Sequence, residues 1–209
     1  MPPAYGAAFL WLMTTILWWS GWREEASEGI PHWAVGAFLA VWPFAWLGNI
    51  AVTPNFAVNG AWIWTFLAGA LLARRTHAPR RWTAISAGLL VGSIYVLVSR
   101  LAHYPAGFSH FLDPWGAALI VGLLTALIVR SVSEQVLAIS TALYVSMGIY
   151  AYLQTTSGAI FEGKASEWMA GWWIAVLSSR FASLTVRALA DLAGKRTFKV
   201  GGKRGDQHS

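Results

Sequence analysis

The chain has no cysteine and little charge: Asp, Glu, Lys and Arg together make up 11% of its 209 residues. Without cysteine there is no disulfide framework, no thiolate metal site and no cysteine nucleophile. Soluble domains carry roughly 25% charged residues, so a chain this poor in charge has too little polar surface to cover itself in water. His-Glu-x-x-His, Gly-x-Ser-x-Gly and phosphate-cradling glycine loops are all missing, which removes the usual signatures of metalloproteases, serine hydrolases and nucleotide-binding proteins. His32, His77, His103 and His110 are not spaced as ligands on one helix face. No metal, no cofactor and no enzymatic activity are therefore expected.

Apolar residues fill the space, at 56% of the chain, in long segments separated by short polar turns. The net charge of +6 does not point to nucleic acid, because the basic residues fall in patches at segment ends rather than along one face. The expected fold is all-α: a polytopic transmembrane helix bundle of about seven spans, occupying residues 1–194, with 195–209 as a basic cytoplasmic tail expected to be disordered. The spans read as Tyr5 to Trp22, His32 to Val52 with a kink at Pro43, Thr53 to Ala73, Trp82 to Leu101, Trp115 to Val129, Gln135 to Thr155 and Trp168 to Leu189. Thr53-Pro54 looks like a helix start, with Thr53 as N-cap and Pro54 in the first turn.

The turn Arg74-Arg75-Thr76-His77-Ala78-Pro79-Arg80-Arg81 sets the orientation. Short loops rich in Lys and Arg stay in the cytoplasm, so this turn, Arg23, Arg130 and the tail lie inside, leaving only Arg100 and Lys164 outside. The N-terminus is then outside and the C-terminus cytoplasmic, in a multi-pass plasma-membrane protein. The first segment lacks a positively charged leader and reads as a retained span.

Lipid tails solvate leucine as well as a neighbouring helix does, so association between spans needs close backbone approach through small residues. Four stripes provide it: Ala84, Gly88 and Gly92; Ala118, Gly122 and Ala126; Ala138, Ala142 and Ser146; Gly171, Ala175 and Ser179. They read as seams within the bundle, with homodimerisation or a membrane-protein partner as the other use of such a stripe.

Two groups of polar residues are candidate sites. Asn55 and Asn59, taken as i and i+4 on a helix, share a face near the outer interface with Arg100 and His103, and form a candidate binding cluster for a lipid or small molecule. The plainer reading, that the asparagines cap helices and bond one another, is the favoured one. Arg74, Arg75, Arg80, Arg81 and Arg180 are candidate contacts for anionic headgroups at the cytoplasmic face of the bilayer. Arg180, inside the last span, is expected to snorkel or to meet Glu134.

The stretch Gly48-Asn49-Ile50-Ala51-Val52-Thr53-Pro54-Asn55-Phe56-Ala57-Val58 and the segment Phe111-Leu112-Asp113-Pro114-Trp115, together with the short first span, resemble the YphA-like integral membrane proteins of Gram-positive, endospore-forming bacteria. The resemblance implies a bacterial plasma-membrane protein and brings no catalytic residues with it. The expected function is a membrane scaffold or accessory subunit; the alternative is a transporter or lipid-binding protein using the outer polar cluster.

Overall fold

The computed structural model describes residues 3–21, 30–53, 56–101, 115–156 and 165–202. Within them the chain forms helices α1 (Pro3–Trp19), α2 (His32–Leu47), α3 (Gly60–Arg75), α4 (Ala78–Leu101), α5 (Gly116–Ile128), α6 (Val132–Thr156) and α7 (Ala165–Gly202). A two-stranded antiparallel ribbon, β1 (Asn49–Thr53) and β2 (Phe56–Asn59), joins α2 to α3. The fold is all-α apart from this ribbon. Two helices, over residues 78–100 and 132–153, are long and apolar enough to cross a membrane.

The ribbon corrects the expected helix start at Thr53-Pro54. Ile50 pairs with Val58 and Asn49 with Asn59, so Asn49–Thr53 and Phe56–Asn59 are extended and the helix begins only at Gly60. A proline suits a turn as well as a first helical turn, since its missing N–H is unused in both, and the β-branched residues Ile50, Val52 and Val58 favour strands. Pro54 and Asn55 lie outside the described residues. At the other end, the backbone of α7 remains helical to Gly202, beyond Gly194 where the bundle was expected to stop.

Contacts between helices show their directions alternating along the chain. Trp11 of α1 reaches Leu39 of α2 while Trp18 lies against Gly36; Asn59 at the start of α3 reaches Trp46 while Arg75 at its end lies over Trp33; and Trp62 and Gly69 of α3 meet Tyr144 and Ser140 of α6, so each of these pairs runs antiparallel. Parallel pairs arise between alternate helices. On α4 and α6, Gly88 meets Ala138 and Thr141, Gly92 meets Ala142, and Arg100 stands over the Tyr150 ring at 5.8 Å. On α5 and α7, Gly171 faces Ala118, and Gly122 meets Ala175 and Ser178. These are the small-residue stripes read from the sequence, matched two by two inside one chain. A Cβ on Gly88 would lie 2.6 Å from the Ala138 carbonyl oxygen and one on Gly92 2.7 Å from that of Ala142, so only glycine permits this approach.

α6 is central, touching α3, α4, α5 and α7. Around it lies an aromatic core: Trp42 packs edge-on to Trp173 at 5.6 Å, Trp172 edge-on to Trp173 at 5.0 Å, and Phe38 stacks with Trp64 at 6.4 Å. Tryptophan rings fill large volumes with few rotatable bonds, and edge-to-face pairs add about 0.5–1.5 kcal/mol beyond burial.

Pro43 sits inside α2, as expected, and has no N–H for the Leu39 carbonyl one turn earlier. The indole Nε1 of Trp11 donates to that carbonyl at 2.9 Å. Next to it, Trp64 Nε1 donates to Phe38 O at 3.2 Å. Side chains from both neighbouring helices thus serve the stretch of backbone that the proline disturbs.

Candidate functional site

At the end of the bundle that carries the ribbon, Asn59 is buried and fully engaged. Its Oδ1 accepts from Ala61 N at 2.9 Å, capping α3, while Nδ2 donates to Trp46 O and to Asn49 Oδ1, both at 2.9 Å. Both amide protons and one carbonyl lone pair therefore go to locking α2, the ribbon and α3 together. This is the capping role weighed against a binding role in the sequence, and it replaces the picture of Asn59 on a helical face. Arg100, in the last turn of α4, is exposed and stacks over Tyr150 of α6. Asn55 and His103 fall outside the described residues.

The opposite end carries the cations. Arg74 and Arg75 close α3, and Arg75 lies over the Trp33 ring at 5.6 Å. Arg81 lies over Trp82 at 5.7 Å. Arg80, 69% exposed, stands 3.8 Å from Glu134 in the first turn of α6. Glu134, the carboxylate named from the sequence as a possible partner of Arg180, is thus reached by Arg80 from the first turn of α4. Arg180 itself is only 8% exposed, withdrawn into the protein rather than extended along the surface. Arg130 and Arg187, both exposed, come together where Arg187 Nη2 donates to Arg130 O at 3.4 Å.

Between the two ends runs a polar seam that the sequence reading missed. Gln135, wholly buried, donates through Nε2 to Val129 O at 2.9 Å and Ser183 Oγ at 2.7 Å, tying the α5–α6 turn to α7. Its Oε1 is buried and has no hydrogen-bond partner among the described residues. Higher up, Trp172 Nε1 donates to Ser140 Oγ at 3.1 Å and Tyr144 OH to Trp62 O at 2.6 Å. The signal was present as single polar groups facing inward on otherwise apolar helices, which spacing alone does not separate from helix-capping or back-bonded residues. Thr65 and Thr125, for instance, bond their own helices at Ala61 O and Val121 O.

On the outside, α1, α5 and α7 form an open apolar groove of about 500 Å³, lined by Leu10, Leu119, Leu123, Leu177 and Phe181, with Trp115 at its ribbon end. Ser178, also in its wall, turns its hydroxyl to Ala175 O at 3.1 Å. Among the described residues no three His, Cys, Asp or Glu side chains come within reach of a common metal ion. Comparison with known proteins returned no match to a family model, to a curated protein or to a solved structure.

Proposed function

We propose that the chain is a multi-pass plasma-membrane protein of seven spans, N-terminus outside and C-terminus cytoplasmic, serving as a scaffold or accessory subunit of the YphA-like kind. The observation that carries the reading is the alternation of helix directions, which gathers Arg74, Arg75, Arg80, Arg81, Arg130 and Arg187 at one end of the bundle. Lys and Arg so concentrated mark the cytoplasmic face. Large apolar side chains also stand exposed on every helix, including Phe9, Phe44, Phe66, Leu90, Leu127, Tyr152 and Phe181, a surface that lipid covers and water does not.

Several helices are short for this role. At 1.5 Å per residue, α1 spans about 26 Å, α2 and α3 about 24 Å each and α5 about 20 Å, against a hydrocarbon core of roughly 30 Å. The ribbon lengthens the α2–α3 hairpin at its outer end with mutually paired backbone, and local thinning of the bilayer accommodates the rest. α7 is long enough to cross and to continue into the cytoplasm.

The engagement of Asn59 in capping favours the scaffold reading over a transporter using the outer cluster, because its amide has no proton left for a ligand. The test is extraction of the tagged chain in native lipid nanodiscs, with identification of co-extracted molecules by mass spectrometry. A stoichiometric protein whose abundance falls when this chain is deleted is the expected result. A small molecule that is enriched with the wild type and lost from the Asn55→Ala/Asn59→Ala variant, with the fold intact, would overturn it.

A further inference from the structure

We infer that the groove between α1, α5 and α7 binds one anionic phospholipid of the cytoplasmic leaflet, with an acyl chain in the groove and the phosphate at Arg130 and Arg187. The inference rests on the membrane reading above and gives a specific ligand to a surface that reading leaves general. The groove walls are apolar, and Leu119, Leu123 and Phe181 are 44%, 48% and 77% exposed, so the interior is open to the lipid phase along its length. Trp115, whose ring lies against Gly6 of α1, lines its ribbon end, and Leu123 and Ala182 are the lining residues furthest along α5 and α7 toward the cations.

Two of the three helices that wall the groove, α5 and α7, are joined beyond it. Arg187 of α7 donates to the carbonyl of Arg130, which follows the last turn of α5, so two exposed guanidinium-bearing residues meet roughly 10 Å along the helices from Phe181 and Leu123, within reach of a glycerol-linked headgroup. An acyl chain therefore leaves the groove beside two cations at headgroup level, where a phosphate accepts hydrogen bonds from planar guanidinium donors. A zwitterionic lipid would bring a quaternary ammonium to the same cations, so the pair favours a net negative headgroup. Asp191, one turn beyond Arg187 on α7, is the acid nearest along that helix and works against an anion.

The experiment reconstitutes the full chain in nanodiscs of equal phosphatidylglycerol and phosphatidylcholine, then counts the lipids retained after detergent transfer by native mass spectrometry. The wild type is expected to keep one phosphatidylglycerol in preference to phosphatidylcholine. Arg130→Gln/Arg187→Gln should lose that preference by roughly tenfold or more, as expected for two surface cations. Leu123→Trp, which fills the groove, should lower retention of both lipids, and Asp191→Asn should raise the preference. Unfolding in detergent at the wild-type temperature establishes that each variant is folded. The proposal is overturned if the double glutamine variant keeps the wild-type preference, or if Arg74→Gln/Arg75→Gln lowers it equally, since that means a diffuse cationic face. It is also overturned if the groove instead holds a second copy, seen as a dimer that Leu123→Trp dissociates. A chain released from membranes by alkaline carbonate would instead defeat the membrane reading itself.

Discussion

The indole N–H of Trp11 donates to the carbonyl oxygen of Leu39 at 2.9 Å, and that carbonyl is the one Pro43 leaves without its helical donor. Leu39 is 3% exposed, so no water replaces the indole if it is removed. Trp11→Phe should destabilise the bundle by about 1–3 kcal/mol, the cost of an unsatisfied buried polar group. In a Pro43→Ala background the helix supplies its own N–H, and the same Trp11→Phe change should cost distinctly less. The coupling is read from a double-mutant cycle of unfolding in detergent; equal costs in the two backgrounds would separate the indole from the proline.

Gly92 and Gly148 offer a matched pair on α4 and α6. A Cβ at Gly92 meets the Ala142 backbone at 2.7 Å, whereas one at Gly148 meets nothing within 4 Å. Gly92→Ala should therefore destabilise by about 1–3 kcal/mol as the two helices are forced apart. Gly148→Ala should be neutral or stabilising by up to about 1 kcal/mol, since alanine is the better helix former. Thermal unfolding of both variants in one detergent compares them directly.

Asn59 separates capping from ligand binding. Asn59→Ala removes the cap on α3 and leaves Trp46 O and Asn49 Oδ1 without their donor, so a loss of about 1–3 kcal/mol is expected. Asn59→Asp keeps an acceptor for Ala61 N but sets a second oxygen against Trp46 O, and should be at least as damaging as alanine. If alanine and wild type unfold together, the ribbon junction is not held by this side chain.

Gln135 is expected to be sensitive in a particular order. Gln135→Glu places a buried acid where Nε2 now donates to Val129 O, setting carboxylate oxygen against a carbonyl that has no proton to give, although Ser183 Oγ can turn to donate; it should be the most damaging change. Gln135→Leu removes the unpartnered Oε1 together with the two donors and should be milder. Yield and unfolding temperature after purification rank the variants, and a harmless Gln135→Glu would contradict the packing described.

The absence of native cysteine makes topology directly measurable. Single cysteines replacing Ile50, in the ribbon, and His77, in the α3–α4 turn, are both at exposed positions. In intact cells a membrane-impermeant maleimide should label the first and reach the second only after permeabilisation. The reverse pattern would invert the orientation.

Much of this architecture is legible along the chain because long apolar helices obey strong local rules. Charge scarcity, apolar segment length and the arginines of the α3–α4 turn determine the helical class, and each of the seven helices falls on a segment read from the sequence. Gly88, Gly92 and Gly122 stand out for the same reason, since close backbone approach admits almost nothing else. Spacing reveals that a helix has a close face but not which helix meets it, and only the tertiary structure pairs α4 with α6 and α5 with α7. Likewise Thr53-Pro54 satisfies a helix start and a turn equally well; pairing of Ile50 with Val58, a contact across the turn, decides for the ribbon. The partners of Glu134 and of the Leu39 carbonyl follow the same principle. A carboxylate or a stranded carbonyl states in sequence that it needs a donor, and whichever helix packs alongside, here through Arg80 and Trp11, provides it.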